Sequence, residues 1–148
     1  MGGLRRNEID KALWNWVDWT AGCIRITPTK DFRTKSDDAV RSVWLPPEVL
    51  EILRGYRARA TGEFIFESKV KARPDKLYDH YRAGTQFKKL IGWLRSKEVN
   101  GNKPVHILRK EFGSLIAQKF GIFAAKEMLG HADIATTSAH YLEAKTKR

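Results

Sequence analysis

Two patterns of apolar residues divide the sequence near the Pro46-Pro47 pair. Before this pair, residues 14–19 and 23–27 alternate apolar and polar side chains, which is the period of a half-buried β-strand, and the composition of residues 40–45 suits a third strand. After it, apolar residues recur at the three- and four-residue spacing of helices. The contrast predicts an α+β fold, a mainly helical domain with a small three-stranded antiparallel sheet near its N-terminus.

The chain carries a strong positive charge, a formal +11 at pH 7 with an isoelectric point near 10.0. Such a surface attracts polyanions, and nucleic acid is the first partner to consider. An anionic membrane is the less favoured alternative, because the sequence has no apolar run of spanning length, no amphipathic helix with a basic face and no signal peptide. With 148 residues, five Trp and seven Phe, the chain is expected to fold as one domain.

Turn and capping residues set the expected element boundaries. We predict a first helix over 4–13, a β-hairpin over 14–27 and a third strand over 40–45. Further helices are predicted from Pro47 toward Tyr56 and over 78–97, 105–120, 122–129 and 133–141. Between them, residues 64–66 are expected to be a short buried piece, and residues 68–76 a basic surface loop that is a candidate DNA contact.

Cysteine and histidine usage limits the cofactor chemistry. The single cysteine, Cys23, excludes an internal disulfide and a multi-cysteine zinc site, so a reducing compartment and a cytoplasmic location are expected. The histidines are not spaced as a ligand cluster, and no set of acidic residues is placed to hold magnesium. We therefore expect neither a metal nor another cofactor.

Three short segments carry side chains suited to chemistry. They are Gly3-Leu4-Arg5-Arg6-Asn7-Glu8, then His106-Ile107-Leu108-Arg109, then Leu129-Gly130-His131, which Tyr141 follows ten residues later. Taken singly, each has an ordinary structural explanation. The His-x-x-Arg pair fits a surface pair on one helix face, Leu-Gly-His fits a helix C-cap, and the tyrosine fits an amphipathic residue that closes a core.

In this order and at these separations, the segments resemble the tyrosine recombinase family, which includes phage integrases and the bacterial chromosome-dimer resolvases. The resemblance covers almost the whole chain, because the segment from Thr34-Lys35 to Leu45 is similar to the family's lysine-bearing β-hairpin. It implies a set of catalytic residues: Arg5, Lys35, His106, Arg109, His131 and the nucleophile Tyr141. Lys30, five residues before Lys35, remains an alternative for the lysine.

The chemistry of the side chains agrees with these assignments. Arg5 and Arg109 can clamp the non-bridging oxygens of a phosphodiester by paired hydrogen bonds. A phenol has a pKa near ~10, so Tyr141 needs a proton acceptor, for which His106 is a candidate. The lysine is a candidate general acid for the departing 5′ oxygen, and His131 is expected to donate a hydrogen bond to the phosphate in the transition state.

The resemblance also implies an activity and a domain. The activity is that of a site-specific DNA recombinase, an integrase that cuts and rejoins double-stranded DNA through a 3′-phosphotyrosyl intermediate, as a homo-tetramer on paired DNA sites in the full-length form. Residues 1–148 would be its catalytic domain, without the N-terminal DNA-clamping domain and the first catalytic-domain helices. Two alternatives stay open: strand cleavage as in type IB topoisomerases, and a DNA-binding fragment without turnover.

Overall fold

The structure is a computed structural model that describes residues 2–34, 40–76, 80–131 and residue 135. Short 3₁₀ helices lie at Trp14–Trp16 and Pro74–Lys76. The helices and strands of the described residues are, in chain order, α1 (Arg6–Asp10), β1 (Val17–Asp18), β2 (Cys23–Ile26), β3 (Arg41–Trp44), α2 (Pro47–Arg57), α3 (Gly84–Ser96), α4 (Pro104–Phe120) and α5 (Ile122–Leu129). The predicted α+β class is confirmed.

The sheet is antiparallel, with β2 between β1 and β3. Its register pairs Val17 with Ile24 and Ile24 with Val43, so these three side chains lie on one face. All three are buried and belong to a core that also contains Trp16 and Phe32. In β2 the alternation agrees with the structure at Ile24, Arg25 and Ile26, of which only the arginine is exposed.

Helix α1 lies between two apolar cores. Ile9 packs against the cluster that α3 and α4 form around Phe87, Leu94 and Val105, whereas Leu4 packs against the core of the sheet. The short segment from Leu4 to Ile9 is thus held from both sides. This placement matters for the site, because Arg5 belongs to the same segment.

The predicted first helix, over 4–13, is longer than the one observed. The chain leaves the helix after Asp10 because its backbone finds partners in another segment: the Trp14 N–H donates to the Glu63 carbonyl at 2.9 Å, and the Ile65 N–H donates to the Ala12 carbonyl at 2.9 Å. The same contacts go with a 3₁₀ turn at Trp14–Trp16, where a strand was predicted. Hydrogen bonds between distant segments thus outweigh the local pattern.

Helix α3 begins at Gly84, six residues after the predicted start at Tyr78. The carboxylate of Asp10 accepts the backbone N–H groups of Arg82 (3.0 Å) and Ala83 (2.7 Å), which holds the residues before the helix in a turn. A side chain from α1 thus satisfies donors at the start of α3.

Most of the other predicted helix boundaries agree with the structure. Helices α2, α4 and α5 agree with the prediction to within one residue at each predicted bound. The prediction of a buried piece at 64–66 is wrong for Phe66, which is 40% exposed. The helix predicted over 133–141 lies outside the described residues, except for Ala135, which is helical. None of the helices in the described ranges is long and apolar enough to span a membrane.

The Asp10 contacts predict a large effect of one substitution on stability. Asp10 is fully buried, so Asp10→Ala leaves two buried N–H groups without an acceptor. We expect the free energy of unfolding to fall by about 2–4 kcal/mol in urea denaturation. The control is Asp75→Ala, because Asp75 is exposed and pairs only with the exposed Arg73 among the described residues; it should change stability by less than about 0.5 kcal/mol. Equal effects at the two positions would contradict the prediction.

Candidate active site

Helix α5 ends in a glycine cap. Gly130 adopts the left-handed conformation with φ 62° and ψ 54°, in which a side chain is disfavoured. Its N–H donates to the Glu127 carbonyl at 3.0 Å, and the His131 N–H donates to the Lys126 carbonyl at 3.1 Å. These two bonds form a Schellman motif. They satisfy two of the last carbonyls of the helix, but not those of Met128 and Leu129.

Three arginines from distant parts of the chain bind the next three carbonyl oxygens in sequence order. Arg41 Nε donates to the Met128 carbonyl at 3.0 Å, Arg109 Nη2 to Leu129 at 2.7 Å, and Arg5 Nη2 to Gly130 at 2.7 Å. A helix C-terminus carries a partial negative charge and favours cations. The end of α5 therefore gathers three guanidinium groups directly before His131; we call these residues, with Glu8, the arginine cluster.

Glu8 supplies the negative charge of the cluster. Its Oε1 accepts Arg5 Nη1 at 2.8 Å and Arg41 Nη1 at 3.0 Å, while its Oε2 accepts the Arg5 backbone N–H at 2.6 Å and Arg41 Nη2 at 3.0 Å. The bond to the Arg5 backbone also caps the first turn of α1. One buried carboxylate thus fixes both the backbone and the side chain of Arg5.

Gly3 brings the start of the chain to Arg109. The Gly3 carbonyl accepts a hydrogen bond from Arg109 Nη1, and Gly3 has a φ of 60°. A Cβ at this position would lie 2.5 Å from Phe112 Cδ1, on the same helix as Arg109. The close approach of residue 3 to α4 therefore requires glycine.

Burial and charge shift two pKa values within the cluster. Burial lowers the pKa of Arg109 to about 9, and the charge of Arg5 acts in the same direction. For Glu8, burial alone would raise the pKa, but the hydrogen bonds and charges of Arg41 and Arg5 outweigh it and leave the pKa below its usual value. The cluster therefore keeps its carboxylate ionised at neutral pH.

The structure brings three of the predicted site residues together: Arg5, Arg109 and His131. His131 is half-buried and follows Gly130 directly. His106 lies one turn before Arg109 on α4 and is exposed, whereas Arg109 is buried. Among the described residues, no group of three or more His, Cys, Asp or Glu side chains is arranged to hold a metal ion.

Two predicted site residues, Lys35 and Tyr141, lie outside the described residues. Lys30, the alternative lysine, is exposed, and its Nζ lies 4.0 Å from Glu63 Oε1, away from the arginine cluster. The assignment of the lysine and of the nucleophile therefore stays a prediction.

The structure adds two residues that sequence reasoning missed, Glu8 and Arg41. Glu8 had a signal, because a carboxylate three residues after Arg5 fits the reciprocal pattern of a capping box. Arg41 had none beyond its place in a predicted strand. Its side chain is only 6% exposed, which no local pattern indicates for an arginine.

The carboxylate of Glu8 predicts a pH-dependent loss of stability. Glu8→Gln leaves the guanidinium of Arg41 without its ionic partner, and removal of one member of a buried pair costs about 3–5 kcal/mol. A carboxyl whose folded pKa is lowered stabilises the fold above its unfolded value of 4.5, and this contribution is lost as the pH falls through the folded value. The stability gap between the wild type and Glu8→Gln should thus be widest near pH 7 and narrow below pH 4.5.

Urea denaturation at several pH values measures this gap. The control is Glu51→Gln, because Glu51 is exposed and pairs with Arg54 on the surface of α2. We expect it to change stability by less than about 0.5 kcal/mol at every pH. A gap for Glu8→Gln that does not depend on pH would contradict the assignment of the ionised pair.

The fold is similar to that of known DNA recombinases. The Tn1549 transposon integrase in complex with transposon right end DNA aligns with a TM-score of 0.66 and 18% identity, over 99% of this chain and 55% of that one. The same integrase in complex with circular intermediate DNA gives 0.67 and 18%, over 99% and 56%. XerA recombinase gives 0.67 and 21%, over 99% and 53%. The chain thus spans about half the length of these structures.

Sequence comparison identifies the family. No curated protein is significantly similar to the chain. The model of the phage integrase family, however, matches residues 1–148, which is the whole sequence. The chain belongs to the phage integrase family.

Proposed function

We propose that this chain is the catalytic domain of a site-specific DNA recombinase, an integrase that cuts and rejoins double-stranded DNA through Tyr141. The observation that carries the proposal is the meeting of Arg5 and Arg109 on consecutive carbonyls immediately before His131. Family membership supports it, as do the structural neighbours, which are an integrase bound to DNA and a recombinase.

The arginine cluster suits a phosphodiester. The cluster comprises three guanidinium groups and one carboxylate, which binds Arg5 and Arg41, so these four side chains together carry a net positive charge. The side chain of Arg5 is 26% exposed, which leaves it open to an anion. A phosphate beside Arg109 would favour its charged form and raise its lowered pKa. Planar guanidinium groups would then bind the non-bridging oxygens, on which charge builds as the phosphorus is attacked.

The nucleophile in this proposal is the hydroxyl of Tyr141. Tyr141 follows His131 by ten positions, and the backbone between them spans about 15 Å if helical and at most about 35 Å if extended. The end of α5 thus tethers the tyrosine to the arginine cluster. His106, exposed one turn before Arg109, is the candidate that accepts the phenolic proton, and His131 donates a hydrogen bond to the phosphate.

The reaction balances without an external energy source. The Tyr141 oxygen forms a bond to phosphorus as its proton leaves, the bond from phosphorus to the 5′ oxygen breaks, and that oxygen takes a proton from Lys35. The products are a 3′-phosphotyrosyl link and a free 5′ hydroxyl. Attack of a 5′ hydroxyl on the link reverses the step and rejoins the strand, with the phosphodiester energy conserved.

Double-stranded DNA is the proposed partner. The net charge of +11 supplies the long-range attraction. Recombination exchanges strands between two sites, so we propose that the full-length protein acts as a homo-tetramer on paired sites, in the cytoplasm, with residues 1–148 as its catalytic domain.

The first test is covalent capture on a nicked suicide DNA substrate. Wild-type protein should form a protein–DNA adduct, whereas Tyr141→Phe should form none and should keep its DNA affinity, because the hydroxyl is the nucleophile and the positive surface provides the binding. Tyr56→Phe is the matched control, since Tyr56 is an exposed tyrosine on α2, and it should form adduct at the wild-type rate. An adduct with Tyr141→Phe would refute the assignment.

The same substrate separates the alternatives. Adduct formation without synapsis of two DNA sites would favour strand cleavage of the topoisomerase kind. DNA binding without any adduct would favour a binding fragment. Adduct formation with synapsis is the outcome expected of a recombinase.

The second test identifies the general acid with a sulfur-substituted strand. A thiol has a pKa near ~8.5 and an alcohol one closer to the ~15.7 of water, so a 5′ thiol leaves without a proton donor. Lys35→Ala should therefore cleave normal DNA very slowly and the sulfur-substituted strand at a largely restored rate. Lys30→Ala should be near normal on both substrates. Restoration of Lys30→Ala instead would move the role to Lys30, and restoration of neither variant would exclude both lysines.

A further inference from the structure

Arg41 is an arginine whose side chain is almost covered by the protein and whose three nitrogens all donate hydrogen bonds. Nη1 and Nη2 each donate to one oxygen of Glu8 at 3.0 Å, and Nε donates to the Met128 carbonyl at 3.0 Å. Its side chain is 6% exposed, against 26% for Arg5. Arg41 is therefore placed to act on a bound phosphate through other residues and not by direct contact.

The residue through which Arg41 can act is Arg5. Both oxygens of Glu8 are shared between the two arginines: Oε1 accepts from both guanidinium groups, and Oε2 accepts from Arg41 and from the Arg5 backbone. The paired hydrogen bonds from Arg41 fix the plane of the carboxylate. The plane of the carboxylate in turn sets the direction from which Arg5 Nη1 can donate.

We propose that Arg41 is a positioning residue for strand cleavage, which holds Glu8 so that the guanidinium of Arg5 is oriented toward the scissile phosphate. The inference rests on the proposed function, because the phosphate belongs to that reaction. It assigns to β3 a part in the chemistry besides its part in the sheet.

The position of Arg41 in the chain strengthens the inference. Arg41 follows Lys35 by six residues, and its bond to Met128 ties β3 to the end of α5, which leads to His131 and Tyr141. One side chain thus joins β3, which follows the proposed general acid in the sequence, to the end of α5, which precedes the proposed nucleophile.

Lysine cannot replace arginine in this arrangement. A single ammonium group would have to serve two carboxylate oxygens and a carbonyl that the three nitrogens of a planar fork now reach separately. Arg41→Lys keeps the charge and loses the geometry, which makes it the informative variant. Arg41→Met is the second variant, which removes the charge as well.

The kinetic test compares two DNA substrates. On a normal phosphodiester, Arg41→Lys should cleave about 100-fold more slowly than the wild type, because a small misplacement of a reacting group has an effect of this size. Its DNA affinity should stay within about twofold of the wild type. A methylphosphonate at the scissile position carries no negative charge, so it depends less on an oriented guanidinium. The defect of Arg41→Lys should shrink on it, as should that of Arg5→Lys. An equal defect of Arg41→Lys on the two substrates would indicate only a smaller folded fraction and would overturn the proposal.

Arg25→Lys is the matched control. Arg25 lies on the neighbouring strand β2, and its Nε and Nη2 donate to Asp18 Oδ2 at 3.1 and 2.6 Å, but its side chain is 60% exposed. It should cleave both substrates at wild-type rates. A defect in Arg25→Lys equal to that of Arg41→Lys would show a general effect of the sheet and would contradict the proposal.

A measurement without DNA decides the structural part. In NMR spectra of arginine side chains, with Arg5 assigned through Arg5→Lys, the Nη protons of Arg5 should be resolved in the wild type because two acceptors restrain the group. They should average in Arg41→Lys and Arg41→Met. Unchanged Arg5 signals in a folded variant would overturn the positioning role of Arg41. Failure of the wild type to form an adduct would instead count against the proposed function and would leave this measurement valid.

Discussion

The last carbonyl oxygens of α5 are the groups on which the site depends. A helix cannot satisfy its own final carbonyls, and a buried guanidinium cannot remain without acceptors. In this fold each requirement satisfies the other. The carbonyls of Met128, Leu129 and Gly130 accept hydrogen bonds from Arg41 on β3, Arg109 on α4 and Arg5, which caps α1. Elements that are far apart in sequence are thereby joined at one point.

The charge balance of the cluster explains why it suits an anion. Among the described residues, Glu8 binds Arg5 and Arg41, whereas Arg109 donates to the carbonyl oxygens of Gly3 and Leu129. Burial disfavours the charged form of Arg109 and lowers its pKa to about 9. In the proposed reaction a phosphate would favour that charged form, and more strongly in a transition state richer in negative charge.

The features of the fold that depend on local sequence pattern could be predicted from the sequence. Strand β2, Pro47 at the start of α2 and Gly130 at the end of α5 all rest on neighbouring residues, and each was predicted. The early end of α1 and the late start of α3 were not, because both follow from contacts between distant segments, such as those of Asp10. The part of Arg41 in the site was not predicted for the same reason. Its partner Glu8 lies 33 residues away in the sequence, and nothing in a strand pattern identifies such a pair.

Helix ends are ordinarily the first parts of a helix to open. Opening the end of α5 would break hydrogen bonds to three other segments, those of Arg5, Arg41 and Arg109, which makes opening more costly than at an ordinary helix end. The arginine cluster therefore forms only when all of these segments are in place. A partly folded chain would lack the arranged cations, so the strand cleavage proposed above would require the complete domain.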